Sequence, residues 1–199
     1  MHLIQYNFVW MSFNIFLAIL PIVLGWIFLF TKNKYLKTII GFFWLIFLPN
    51  SIYLFTDLIN LMRQWILVGP FERLVFIFQY SVLIIVGFVT SILALYPLEK
   101  FLNTLDWVKK NGGTDRYLIV LNFIIGFGIT LGRTERVNSW EIIADPISIV
   151  YSTFNIITKP ELIILTILFG LFANFFYFLF RKSVVNYARN CLIQAGFLK

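Results

Sequence analysis

Residues 8–30 read FVWMSFNIFLAILPIVLGWIFLF and decide the fold class of this chain. The stretch contains no charged side chain. A helix needs about 20 consecutive apolar residues to cross a lipid bilayer, and this stretch is longer. Four further stretches of the same kind follow, at about 36–58, 73–96, 117–132 and 161–180. The sequence therefore predicts an all-α, polytopic transmembrane helix bundle with about five spans.

The composition indicates that lipid is part of the solvent. Of the 199 residues, 60% are hydrophobic and 13% are charged, and the mean hydropathy is +0.88. A soluble domain is about half apolar and about a quarter charged. A single small globular domain cannot bury this excess of apolar side chains. Since no internal repeat or linker divides the chain, we expect a single integral membrane domain over residues 1–199.

The distribution of lysine and arginine predicts the orientation, because cytoplasmic loops are enriched in both. Most of the 16 cations fall in the first loop, the third loop and the tail: Lys32, Lys34, Lys37, Lys100, Lys109, Lys110, Arg116, Arg181, Lys182, Arg189 and Lys199. We therefore expect a multi-pass protein of the cell (plasma) membrane, with the N-terminus outside and the C-terminus cytoplasmic. The net charge of +7 suits anionic headgroups. No basic run or nucleic-acid motif occurs, so nucleic acid is not an expected partner.

Two connecting segments predict helices that are too short to span. Residues 98–110 have helical apolar spacing beside lysines, which predicts a cytoplasmic interfacial helix, and Pro97 is expected to end the preceding span. Residues 146–157 predict a second short helix, with Asp145 as N-cap and Pro146 in its first turn. This outer helix either lies on the surface or re-enters the membrane.

A first polar segment, LPNSIYLFTDL at residues 48–58, lies at the predicted outer end of the second span. If it is helical, Asn50, Tyr53, Asp57 and Asn60 fall at i, i+3, i+7 and i+10 on one stripe. An amide, a phenol and a carboxylate in a row could bind a cation or a sugar, or relay a proton. Alternatively, these side chains tie helices together and reach for water.

A second polar segment, LGRTERVNSWE at residues 131–141, follows the fourth span. Gly128 and Gly132 form a G-x-x-x-G pair, which predicts close helix packing. Arg133 and Arg136, at i and i+3, could present two guanidinium groups to one phosphate or carboxylate. The alternative is a stop signal for the span together with internal salt bridges to the nearby acids, which are Asp57, Glu135, Glu141 and Asp145.

The rest of this segment has features of a helix start at the membrane interface. Asn138 or Ser139 can cap a short helix in which Glu141 lies in the favourable first turn. Trp140 suits the aromatic belt of a membrane protein.

Several kinds of site are excluded by residue counts. His2 is the only histidine and Cys191 the only cysteine, which argues against a histidine or cysteine metal centre and against an intramolecular disulfide. The acids lack the spacing of a calcium loop, so we expect no metal and no cofactor.

Asp57 with Glu141 or Asp145 could form a carboxylate pair with separated pKa values. Asp57 and Glu141 are thus the candidate catalytic residues, and the sequence leaves open whether the protein is an enzyme.

Together the two polar segments resemble a bacterial membrane family catalogued as domain of unknown function 1361. That family carries L-P-N-A-P-Y-x-x-T-D-L-x-H after an early span and G-I-Y-L-G-R-F-x-R-x-N-S-W-D later. The matching positions are Leu48, Pro49, Asn50, Tyr53, Thr56, Asp57, Leu58, Gly128, Ile129, Leu131, Gly132, Arg133, Arg136, Asn138, Ser139 and Trp140. Ser51-Ile52 replaces Ala-Pro, Asn60 stands where a histidine is common, and Glu141 replaces an aspartate. The resemblance implies that the segments act as one unit, and it implies no activity or substrate.

The leading hypothesis is an outward-facing polar pocket that binds an anionic headgroup or a lipid-linked phosphate. Arg133 and Arg136 would clamp the ligand, while Asn50, Tyr53 and Asp57 orient it. The full predicted binding set is Asn50, Tyr53, Asp57, Arg133, Arg136, Asn138, Ser139 and Trp140.

Three other functions stay open. The first is a membrane enzyme acting on a lipid-linked substrate, with Asp57 or Glu141 as acid or base. The second is a small transporter or channel, which needs a polar route inward past Asn14, Gln79 or Asn122. These side chains, with Asn174, could equally be hydrogen-bonding links between helices. The third is an accessory subunit of a membrane complex, for which the sequence names no protein partner.

Overall fold

The computed structural model describes residues 2–194, and over residues 2–190 it also describes the side chains. Lys199, one of the tail cations counted above, lies outside the described residues. Within them every regular element is a helix: α1 His2–Phe30, α2 Lys34–Phe47, α3 Pro49–Thr56, α4 Leu58–Trp65, α5 Pro70–Leu102, α6 Asp106–Lys110, α7 Gly113–Thr134, α8 Glu141–Ala144, α9 Pro146–Thr158 and α10 Pro160–Gln194.

Within residues 2–190, five helical segments are long and apolar enough to cross a membrane: His2–Phe30, Lys34–Trp65, Pro70–Leu102, Gly113–Thr134 and Pro160–Asn190. They match the five predicted spans in order and extend beyond them. The prediction of an all-α, multi-pass membrane protein is therefore confirmed.

The second span consists of α2, α3 and α4, which continue one another through two distorted turns. The first lies at Leu48, directly before Pro49, because proline has no backbone N–H to continue the ladder of α2. The second lies at Asp57, where the backbone N–H of Asn60 still bonds to the Asp57 carbonyl at 2.8 Å. The chain therefore keeps its helical course past Asp57, and the polar stripe stays on one side.

Pro21 lies inside α1 and Pro97 inside α5, and a neighbouring helix donates a hydrogen bond to the turn before each one. Ser51 Oγ donates to the Ala18 carbonyl at 3.1 Å, one turn before Pro21 in α1. Trp44 Nε1 donates to the Ala94 carbonyl at 3.0 Å. Each acceptor lies three residues before its proline, next to the carbonyl (Leu17 or Leu93) whose backbone partner the proline removes. These bonds therefore support the weakened turn within the membrane.

The prediction that Pro97 ends the third span is wrong, since α5 runs on to Leu102. The buried indole of Trp44 supports the turn before it, as described above. The predicted short helix over 98–110 is consequently divided: its first part completes α5, and only α6 is separate. Its predicted stop is confirmed, because Gly112 and Gly113 have φ values of 96° and 76°, which favour glycine.

Helix α9 starts where the sequence predicts, with the Asp145 carboxylate accepting a hydrogen bond from the Ser148 N–H at 3.2 Å. Its polar side faces the bundle, where Ser152 is buried and Asn155 Nδ2 donates to Glu135 Oε1 at 2.6 Å. Its apolar side is exposed: Ile147, Val150, Tyr151, Phe154 and Ile157. A helix with its apolar side directed away from the protein is suited to the bilayer interface.

Small residues bring α7 close to α10. A Cβ atom added at Gly126 would lie 2.6 Å from both the Gly170 backbone nitrogen and the Thr166 carbonyl oxygen. Only a residue without a side chain allows this approach, which is the usual purpose of small residues at membrane helix interfaces.

The G-x-x-x-G pair packs α7 against α3 on another side. A Cβ atom at Gly128 would lie 2.5 Å from Pro49 Cγ, and one at Gly132 would lie 3.4 Å from the Tyr53 ring. The predicted packing role of Gly128 and Gly132 is confirmed, and this contact places the two polar segments side by side.

At the opposite end of the bundle, charged side chains link α5, α7 and α10. Arg181 lies 3.3 Å from Glu99 and donates to Asp115 at 2.7 Å. Tyr177 also donates to Glu99, at 2.6 Å. This network holds together the helix ends farthest from the polar segments.

Candidate functional site

A cavity of about 320 Å³ lies between α1, α3, α7 and the segment that follows α7. Its polar lining consists of Asn14, Asn50, Tyr53, Asp57, Asn60, Arg133, Asn138 and Ser139. Its apolar lining includes Trp10, Phe13, Leu17, Ile46, Pro49, Leu131, Val137, Trp140, Ile142 and Ile149. The structure thus brings the two polar segments of the sequence to one cavity.

The stripe predicted on the second span forms one wall of the cavity. Asn50, Tyr53, Asp57 and Asn60 all line it, because the distorted turn at Asp57 does not rotate the following residues away. Of the predicted binding residues on the second segment, Arg133, Asn138, Ser139 and Trp140 line it as well.

Asp57 is the buried charge of the site, with 3% of its surface exposed. Asn14 Nδ2 donates to its Oδ2 at 3.1 Å, and Asn60 Nδ2 lies 3.5 Å from its Oδ1. Arg133 Nη1 lies 3.5 Å from the same Oδ1. Because a buried carboxylate is stable only when it is paired and hydrogen-bonded, these three side chains stabilise Asp57 in its buried position.

Arg133 has more donors than Asp57 uses. A guanidinium group carries five N–H donors, and the contact with Asp57 engages one nitrogen at 3.5 Å. Its side chain is 19% exposed and lines the cavity, with Cζ 6.0 Å from the centre of the Tyr53 ring. Among the described residues no other hydrogen bond engages Arg133, and none engages the Tyr53 hydroxyl. Both groups therefore have donors available to a ligand.

Arg136 does not lie beside Arg133. Helix α7 ends at Thr134, and Arg136 adopts a positive φ of 57° just beyond it. Its side chain is exposed and is not part of the cavity lining. The i, i+3 geometry requires a helix that continues, so the predicted clamp of two arginines is not formed.

Glu141 is held by its own segment rather than by the cavity. Its carboxylate accepts hydrogen bonds from the Asn138 backbone N–H at 3.1 Å and from Asn138 Nδ2 at 2.8 Å. Glu141 is not among the cavity residues, and Asp145 caps α9. The carboxylate pair considered from the sequence is therefore not assembled around Asp57.

Ser139 and Asn50 join the two polar segments directly. Asn50 Nδ2 donates to Ser139 Oγ at 3.1 Å, and Ser139 Oγ donates to the Ile46 carbonyl at 3.3 Å. The Ile46 carbonyl belongs to the last turn of α2 before the break at Pro49, so Ser139 also completes hydrogen bonding at that break.

Sequence reasoning missed the contribution of α1 to the cavity. Trp10 and Asn14 line it, and Asn7 exchanges two hydrogen bonds with Gln64, at 2.8 and 2.9 Å, just beyond Asn60. Asn7, Trp10 and Asn14 are spaced i, i+3 and i+7, so a stripe on the first span was a signal that could have been recognised.

The deep polar side chains lie at three different helix interfaces. Asn14 reaches Asp57 from α1, Gln79 Nε2 donates to the Ile4 carbonyl across α5 and α1 at 3.2 Å, and Asn122 donates to Asn174 across α7 and α10 at 3.0 Å. This arrangement links helices. It does not form the inward route that the transporter or channel hypothesis requires.

Among the residues that the structure describes, no group of three or more His, Cys, Asp or Glu side chains could hold a metal ion. No curated protein and no solved structure matches this chain. A family model does match, over residues 13–176, and this range includes both polar segments and all the cavity residues except Trp10. The chain therefore belongs to the family described as protein of unknown function (DUF1361).

Proposed function

We propose that this protein binds the anionic head of a membrane lipid, or of a lipid-linked compound, in the cavity between its two polar segments. The observation that carries this proposal is the state of Arg133. One of its nitrogens lies beside Asp57, and its remaining donors are available to the cavity. Arginine is well suited to phosphate and carboxylate groups, because its planar group can donate two parallel hydrogen bonds.

The surroundings of Arg133 support an oxygen-rich ligand. The Tyr53 hydroxyl is a second available donor beside it. Asn50 uses its Nδ2 on Ser139, which leaves its amide oxygen to accept from a ligand hydroxyl. A head that carries both an anionic group and hydroxyls would satisfy both kinds of partner.

Asp57 is compatible with an anionic ligand because it has partners other than Arg133. Asn14 and Asn60 provide amide donors to its carboxylate. In this proposal Asp57 orients the guanidinium group of Arg133, while the ligand takes the donors on its other side.

The charge distribution supports an outward-facing cavity in the plasma membrane. Lys100 lies in the last turn of α5, and Lys109 and Lys110 lie in α6 just beyond it. The cavity lies at the C-terminal end of α7 and hence at the other end of the bundle. Since lysine-rich ends are cytoplasmic, the proposal places the cavity at the outer leaflet.

The test is binding of dioleoyl phosphatidate to purified protein in nanodiscs of phosphatidylcholine. Arg133→Lys keeps the charge and removes the two-pronged donor geometry. We expect it to weaken binding about tenfold, the equivalent of about 1.4 kcal/mol. Arg136→Lys is the matched control, because it makes the same charge-preserving change at an arginine that is exposed and lies outside the cavity. If Arg133→Lys binds as the unchanged protein does, the proposal is wrong.

A further inference from the structure

We infer that the cavity opens sideways to the lipid, between α1 and Trp140, and that its ligand is a phosphate-bearing lipid whose hydrocarbon chain leaves through this opening. The opening is bounded by Phe13, Leu17, Ile46 and Trp140, which we call the side portal. The inference rests on the proposed function and adds the chain to the anionic head.

The side portal is part of both the cavity and the outer surface. Phe13 and Trp140 line the cavity, yet 51% and 45% of their surfaces are exposed. Their rings meet edge to face, with centroids 6.4 Å apart. Side chains that face the cavity and the surroundings at once separate the two by a single layer, and the side portal opens when this aromatic pair parts.

The depth of Phe13 and Leu17 places the portal at the level of lipid chains. Lys32 and Lys34 follow α1 directly and mark the end of its apolar stretch near Phe30. The hydrocarbon core is about 30 Å thick and a helix rises about 1.5 Å per residue. Counting back from Phe30, the core covers about the last 20 residues of α1, so Phe13 and Leu17 both lie within it.

The cavity lining combines polar and apolar side chains. Arg133, Tyr53 and Asp57 are polar, whereas the four residues of the side portal form an apolar wall. A purely water-soluble anion would leave that wall in contact with water, which is unfavourable. A lipid would place its phosphate against Arg133 and its chain against the wall.

The size of the cavity also requires an exit. Its volume of about 320 Å³ is the room of about ten waters at about 30 Å³ each. This accommodates a phosphorylated head, whereas a full-length hydrocarbon chain beside it extends beyond the cavity, and the apolar wall is the side that suits such a chain.

The test uses phosphatidate with a photoreactive diazirine on an early carbon of one acyl chain. The protein is irradiated in phosphatidylcholine nanodiscs, with and without excess unlabelled dioleoyl phosphatidate, and labelled positions are mapped by mass spectrometry. We expect competable labelling at Phe13, Leu17 or Ile46, at least fivefold above Phe16. Phe16 is the matched reference, because it is a phenylalanine on the same helix, 56% exposed and outside the cavity.

A pair of variants guards against ambiguous labelling. Phe13→Ala should weaken dioleoyl phosphatidate binding about fivefold, while Phe16→Ala, which removes the same ring from the same helix, leaves it unchanged. Because both variants are measured in the same nanodiscs, the partition of phosphatidate into the bilayer affects both binding measurements equally.

The outcomes separate the two proposals. Competable labelling that depends on Arg133 but is equal at Phe13 and Phe16, or equal binding by Phe13→Ala and Phe16→Ala, overturns the side portal and leaves the anionic head site standing. Labelling and binding that are unchanged by Arg133→Lys overturn the proposed function itself.

Discussion

The contact between Asp57 and Arg133 should be energetically coupled, and a double-mutant cycle measures this. At their separation of 3.5 Å, two unit charges attract by about 5 kcal/mol at an effective dielectric constant of 20. Only 4% of the Asp57 side chain and 19% of the Arg133 side chain are exposed. The cost of removing both charges from water therefore offsets much of this attraction. We expect a net coupling free energy of about 2 kcal/mol.

The single variants should differ in cost. Arg133→Gln leaves the buried Asp57 charge with only the amides of Asn14 and Asn60, and should lower the free energy of unfolding by about 3 kcal/mol. Asp57→Asn leaves Arg133, which can turn towards water, and should cost about 1 kcal/mol. The double variant should cost about 2 kcal/mol less than the two single variants together.

The assay is unfolding in mixed detergent micelles by increasing dodecyl sulfate, followed by circular dichroism. The control cycle pairs Asp57→Asn with Arg136→Gln, whose effects should add because Arg136 lies outside the cavity. Costs that add to within about 0.5 kcal/mol in the Asp57 and Arg133 cycle would refute the reasoning.

Three further predictions follow from the packing and the orientation. Gly126→Ala should lower the free energy of unfolding by about 2 kcal/mol in the dodecyl sulfate assay, because the new Cβ atom meets the backbone of α10. The control Gly41→Ala, whose Cβ atom meets only the Phe28 ring, should change the unfolding midpoint little. Equal midpoints for the two variants would contradict this. Trp44→Phe should cost about 1 kcal/mol in that assay through the lost hydrogen bond to Ala94, and an unchanged midpoint would show that the bond is dispensable. In a Cys191→Ser background, a membrane-impermeant maleimide should label Ala144→Cys on intact cells and Lys110→Cys only after permeabilisation; the reverse pattern would invert the orientation.

The spans and the polar stripe could be predicted because both depend on local periodicity. Asn50, Tyr53 and Asp57 face the cavity because they share one side of α3 and its C-cap. Asn60 joins them because helical spacing survives the distorted turn at Asp57. Gly128 and Gly132 could likewise be predicted as packing residues, because their spacing alone puts both on one helix face.

The end of α7 could not be predicted in the same way. A glycine usually occupies the left-handed position after a helix, but here that position is Arg136, so the residue type does not mark it. The clamp of two arginines was therefore an extrapolation of helical spacing beyond Thr134.

Tertiary contacts account for the other differences. The passage of α5 through Pro97 accompanies a hydrogen bond from Trp44, which is distant in sequence and so invisible to local patterns. The apolar stripe of α9 was recognisable, but its direction was not, because a stripe does not say whether lipid or protein covers it.

The most direct test of the central claim is an experimental density map of the protein in nanodiscs that contain dioleoyl phosphatidate. The account predicts a phosphate within hydrogen-bonding distance, about 3 Å, of Arg133 and the Tyr53 hydroxyl, with chain density leading out past Phe13 and Trp140. A map in which phosphate lies only at the lysine-rich end, while the cavity beside Arg133 holds no lipid, would contradict it.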